Sequence, residues 1–290
     1  MLPAMVARPR IAIVGAGNLG SALAVSLRQA GYKIAAVIAR RGASWRNARK
    51  LAKAAGASVS TDPSDAGQAE VFWLCVPDGE IARAARTLAA GVEWKGKVAL
   101  HSSGALASDE LTPLRARGAA VASVHPLMTF VPGSRPLLAG VPFAIEGDST
   151  AVRVARRIVR DVGGSAYSIR KADKAAYHAW GTFASPLFTA LLATMEQVAA
   201  VAGVKPKEAR QRMIPILLQT LANYAAFGAP GSFSGPIIRG DVDTVKRHLR
   251  VLRKVPAAHE VYLSLALAAL SRLPARNKRL LKQVIDSRGD

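Results

Sequence analysis

The stretch Arg10-Ile-Ala-Ile-Val-Gly-Ala-Gly-Asn-Leu-Gly-Ser-Ala-Leu23 decides the fold. An apolar, β-branched run at 11–14 feeds directly into Gly15-x-Gly17-x-x-Gly20, and Leu19, Leu23 and Leu27 follow at helical spacing. Strand, tight turn and helix in that order give each glycine a task. Gly15 lets the chain turn, Gly17 lets backbone approach a pyrophosphate, and Gly20 lets the helix pack closely on the strand. Asn18 and Leu19 open the helix, where free N–H groups and the positive end of the dipole attract phosphate. The motif predicts dinucleotide binding. The alternative is a domain of the same shape that holds no cofactor.

Outward from this motif, short apolar runs alternate with helical patterns to about residue 170. Candidate strands fall at 10–14, 33–39, 58–60, 70–76, 97–102, 119–123, 141–145 and 165–169. They are rich in Val, Ile and Ala and mostly do not alternate, as expected of a parallel sheet buried on both faces. The expected fold class is α/β: a Rossmann-type doubly wound parallel sheet over residues 1–170, then an all-helical domain over 171–290. Helical patterns cover 172–202, 205–227, 242–251, 256–273 and 275–286. The glycine- and proline-rich run 228–236 reads as a loop.

Bulk composition narrows the class. The chain has 290 residues, 50% hydrophobic and 20% charged, enough for a sizeable core. The lone Cys75 excludes an intramolecular disulfide and fits a reducing cytoplasm. Arg8 and Arg10 stand where a signal peptide would be apolar. Residues 175–195 carry no Asp, Glu, Lys or Arg, but His178, Gly181, Ser185 and Pro186 favour a buried interface helix over a membrane span. A net charge of +21 invites a nucleic-acid reading. The cations are spread along helical patterns without a recognisable binding motif, so solvated helix faces are expected. The histidines lack metal-ligand spacing, and no metal site is expected.

The end of the second strand reads the ribose. An acid there accepts from the 2′-hydroxyl of NAD. This chain has Arg40, Arg41 and Ser44 instead, with no acid nearby. Guanidinium forks suit a 2′-phosphate, so NADP is expected ahead of NAD.

Chemistry belongs beyond the carboxyl ends of the strands. Val76 and Pro77 close the fourth strand and place backbone near the cofactor. At the end of the fifth, Ser102 and Ser103 either orient a substrate carbonyl or carboxylate or form an ordinary turn. His125, after the sixth, is either functional or a hydrogen-bonded turn residue. Lys174 and His178 lie i, i+4 on the next helix, with Tyr177 close to the same face. A Lys there suits proton donation and oxyanion stabilisation during reduction by hydride. Arg239, in a loop dense in glycine, is a candidate partner for a substrate carboxylate.

Taken together, GAGNLGSAL (15–23), VPD (76–78), HSSGAL (101–106), SVHPLMTF (123–130), the helix K-x-x-YHA (174–179) and GPIIRGD (235–241) carry a family likeness. The chain resembles bacterial Rossmann-like oxidoreductases whose C-terminal half is a helical domain of unknown function. Its N-terminal half also looks like pyrroline-5-carboxylate reductase and deazaflavin-dependent NADP oxidoreductases. Its helical half looks like the C-terminal domain of the 6-phosphogluconate dehydrogenase superfamily, which includes ketopantoate reductase and the β-hydroxyacid dehydrogenases. The resemblance implies an NADP-linked dehydrogenase, homodimeric through the helical domain, with Lys174 at the superfamily's lysine position. That superfamily has Asn four residues later, where this chain has His178. The substrate implied is a small oxo acid. The alternatives are an imine, or no turnover in a cofactor-binding sensor.

Overall fold

The computed structural model describes residues 8–42, 44–134 and 137–289. The chain folds as two compact units, Met1–Thr182 and Phe183–Asp290. Residues 171–182, which the sequence grouped with the helical half, therefore pack with the sheet unit.

The first unit carries eight strands: β1 (Ile11–Val14), β2 (Ile34–Ile38), β3 (Ser58–Ser60), β4 (Val71–Leu74), β5 (Val98–His101), β6 (Ala120–Pro126), β7 (Pro142–Gly147) and β8 (Ser165–Ser168). Its helices are α1 (Asn18–Gln29), α2 (Trp45–Ala55), α3 (Asp78–Gly91), α4 (Thr112–Arg115), α5 (Ser149–Asp161) and α6 (Lys174–Thr182). The strands form one sheet in the order β3-β2-β1-β4-β5-β6-β7-β8. The chain starts mid-sheet, winds one way to β3 and then the other way from β4. A crevice opens where the order reverses, beyond the ends of β1 and β4.

Burial explains the lack of alternation. In β1, Ile11 and Ile13 join one core with Leu23, Leu27 and Leu51, while Ala12 and Val14 join the opposite core with Ile81 and Leu88. Helices cover both faces, so every position of β1 is apolar. The sheet is not wholly parallel, however. β7 pairs antiparallel with β6, Val124 opposite Ile145, and β8 then runs parallel to β7. Among the described residues the 127–141 connection carries no helix, and a return without a crossover helix brings the chain back antiparallel.

The second unit holds α7 (Phe188–Val201), α8 (Pro206–Ser232), α9 (Pro236–Arg239), α10 (Val242–Leu252), α11 (Pro256–Arg272) and α12 (Lys278–Asp286). Its core is built by Val245, Leu249, Leu263, Leu270, Leu281 and Ile285. Two expectations need correction. The 172–202 helix is interrupted by a π-helical turn at Phe183–Leu187. Pro186 has no N–H and its ring crowds the carbonyl four residues back, so the turn widens. The expected loop at 228–236 is helical through Ser232, kinked at Gly228 (φ 66°), and only residues 233–235 leave the helix. Among the described residues, one helical stretch, Lys171–Val201, is long and apolar enough to cross a membrane by length and composition.

Candidate active site

The glycine turn is held from both sides. Gly15 has φ 101° and donates its N–H to Ile38 O at 2.8 Å. A Cβ on Gly15 would lie 2.6 Å from Cys75 O, and one on Gly20 would collide with Gly15 O. Both therefore belong to the fold. Gly17 is different: its φ is −73°, and a Cβ there would meet no protein atom within 4 Å. Nothing in the fold requires a glycine there, whereas a pyrophosphate lying against the backbone does. The first turn of α1 carries no acid that would repel phosphate.

This turn opens on a cleft of about 560 Å3 whose lining includes Gly15, Gly17, Arg40, Ser44, Val76 and Pro77. The residues fit a dinucleotide with a 2′-phosphate: a glycine turn and a guanidinium with a hydroxyl line the same cleft. The expected set is not all in the cleft. The Arg41 guanidinium lies 5.5 Å over the Trp45 ring and outside the lining. The Asn18 amide donates to Phe130 O at 3.2 Å, and Leu19 packs half-buried on the core. Both stand at the head of α1.

A second cluster forms where β5, β6 and α6 meet. Lys174 is 1% exposed, and its ammonium donates to Ser103 O at 3.0 Å and Ser123 Oγ at 2.7 Å. No carboxylate pairs with it among the described residues. Burial holds its pKa below the ordinary lysine value, against the distant pull of Glu146 and Asp78. His125 Nδ1 and the Tyr177 hydroxyl are 2.6 Å apart. The His178 ring stands edge-on to His125 at 6.4 Å and is exposed to solvent. Gly104 seals the join: a Cβ there would lie 2.8 Å from His178 Cδ2 and 2.9 Å from His125 Nε2.

Burial, reinforced by Lys174, pushes the His125 pKa down to about 4, so its ring is neutral near pH 7. Burial raises that of Tyr177, which stays a phenol. The pair is therefore a neutral donor–acceptor couple beside a buried ammonium.

The serines are otherwise engaged. Ser102 Oγ accepts from Trp73 Nε1 at 2.8 Å. Ser103 Oγ accepts from the N–H groups of Ala105 and Leu106 at 3.2 and 2.9 Å. Both hydroxyls build the turn, and Ser103 reaches the cluster through its carbonyl. His101 is fully buried; its Nδ1 accepts from Ser103 N–H at 3.1 Å, so Nε2 carries the proton given to Ala107 O at 3.0 Å. In the second unit, Arg239 pairs with Asp241 at 2.8 Å. No group of three or more metal-ligating side chains occurs among the described residues.

Sequence reasoning overlooked Ser123, which bonds Lys174, and gave Tyr177 no role. The i, i+3 spacing of Lys174 and Tyr177 was the available signal. It also overlooked Glu80 and Arg83 in the cleft beside the glycine turn, because both belong to the helix after β4 and lie far from the glycine loop in sequence.

Comparison with known proteins agrees with this architecture. Residues 4–126 match the Rossmann-like domain and residues 141–269 match a domain of unknown function, DUF2520. A candidate NADP oxidoreductase from Bacteroides fragilis superposes with a TM-score of 0.77 at 21% identity, covering 91% of this chain and 98% of its own. A reductive aminase from Aspergillus terreus, in complex with NADPH and ethyl-5-oxohexanoate, gives 0.67 at 18%, covering 96% and 99%. A pyrroline-5-carboxylate reductase from Coxiella burnetii gives 0.59 at 15%, covering 92% and 97%. No curated protein matches the chain. At these identities the likeness is one of fold. The chain thus carries a segment that matches the Rossmann-like domain, followed by one that matches a domain of unknown function, DUF2520.

Proposed function

We propose that this protein is an NADP-dependent oxidoreductase that reduces a small, carboxylated oxo acid. The observation that carries the reading is that one cleft is lined both by Gly15 and Gly17 and by Arg40 and Ser44. Bound NADPH would supply the hydride. Gly15, Gly17 and the head of α1 would hold its pyrophosphate, Arg40 and Ser44 its 2′-phosphate, and the Val76–Pro77 backbone would flank it.

The second cluster supports the substrate class. Lys174, His125 and His178 stand together with no acid in contact among the described residues. Such a site favours an anion or developing oxyanion and disfavours a cationic iminium. Lys174 stabilises the oxyanion from beneath the 101–104 turn. Lys174 also gives the proton, assisted by the neutral His125, which Tyr177 orients, or by the exposed His178. Ser102 and Ser103 position this turn. A homodimer through the helical unit belongs to the same reading. It is supported by α7, which buries no residue, and α8, which buries only Ala209.

Imine reduction is the second reading, favoured by the likeness to a reductive aminase and a pyrroline-5-carboxylate reductase. One assay separates the two: NADPH oxidation with a panel of 2-oxo and 3-oxo acids and of cyclic imines. The expected result is turnover of oxo acids, reduced about 100-fold or more by Lys174→Met while NADPH affinity is kept. Turnover of imines alone, indifferent to Lys174→Met, would replace the first reading with the second. NADPH binding without turnover of any substrate would leave a cofactor-binding sensor.

A further inference from the structure

The cofactor cleft contains an acid that the glycine motif does not explain. Glu80 sits in the first turn of α3, directly after the Val76–Pro77 strand end. Its carboxylate pairs with the Arg40 guanidinium at 3.2 Å and also with Arg83. All three residues line the cleft that holds Gly15, Gly17 and Ser44. The Glu80 side chain is only 30% exposed, while those of Arg40 and Arg83 are 71% and 54% exposed. The carboxylate is the inner partner of two outer, more exposed cations.

We infer that Glu80 sets the cofactor preference by competing with the 2′-phosphate for Arg40, and that Arg83 is a second cation for that phosphate. The inference rests on the NADP reading above. A guanidinium offers a limited fork of donors, and Glu80 takes part of it. A 2′-phosphate at Arg40 must displace the carboxylate or lie close to it, two negative groups at one cation. A cofactor without that phosphate meets no such conflict, and a carboxylate beside it is a ready acceptor for a ribose hydroxyl. Glu80 thus narrows the NADPH-over-NADH preference that Arg40 and Arg83 would otherwise produce. When the phosphate binds, Glu80 can swing to Arg83 or release it.

The test is fluorescence titration of wild-type, Glu80→Gln and Arg83→Gln proteins with NADPH and with NADH, with 2′-AMP as competitor. Glu80→Gln removes the charge and keeps the shape. It should tighten NADPH and 2′-AMP by roughly three- to fivefold, the scale of one partly exposed ion pair, and leave NADH within about 1.5-fold. Arg83→Gln should weaken NADPH and 2′-AMP without moving NADH. The NADPH gain should shrink as salt is raised. Equal shifts for both cofactors, no shift, or weaker NADPH binding in Glu80→Gln would overturn the inference while the NADP reading stands. Wild-type protein that binds neither cofactor would overturn both.

Discussion

Lys174 and His101 both bond to the turn at 101–104, and neither has an acid partner among the described residues. His101 is locked neutral between Ser103 N–H and Ala107 O, and burial pushes its pKa down to about 4. His125 falls to the same value for the same first cause. An unfolded histidine titrates near 6.5, so between about pH 6.5 and 4 the unfolded chain binds more protons than the folded one. Stability therefore falls as pH drops through that window, and the loss is complete below about 4. His101 alone accounts for up to about 3 kcal/mol. Urea melts across this range should show the slope, and His101→Gln should flatten it. An unchanged slope would mean that His101 is protonated in the folded chain.

Elements place the glycines in two classes that the motif alone does not distinguish. Gly15 lies in the turn between β1 and α1 against the Cys75 carbonyl, with a left-handed φ. Gly15→Ala should cost about 2–4 kcal/mol of stability through strain and overlap, read as a lowered melting temperature. Gly17 has an ordinary φ and open space beside it. Gly17→Ala should leave the melt within about 0.5 kcal/mol of wild type and weaken NADPH tenfold or more. A Gly17→Ala protein that binds NADPH normally would remove the pyrophosphate from this turn.

At the scale of the whole molecule, α8 leaves Ile216, Leu218, Leu221, Tyr224 and Phe227 between 53% and 68% exposed. A run of this size on one helix exceeds the scattered apolar residues of an ordinary surface and marks a contact. The proposed homodimer would bury it. Sedimentation should give a dimer, and Leu221→Glu with Tyr224→Glu should shift it to monomer. A wild-type monomer that floats with lipid vesicles would instead assign the apolar helices to a membrane surface.

Sequence by itself determined the eight strand positions, the crossover pattern of the first half and the glycine cradle. These follow from local signals: apolar runs, turn residues and a helix start within a dozen residues of one another. It also placed Arg40 at the end of β2, where the structure has it lining the same cleft as the glycines. Only tertiary structure decided the rest. It turned Arg41 onto Trp45 and the Ser102 hydroxyl onto Trp73, and it closed β7 antiparallel. It brought Tyr177 to His125 across 52 residues and Glu80 to Arg40 across 40. Which side chain meets which is set by strand order and helix packing, and no local spacing carries that information.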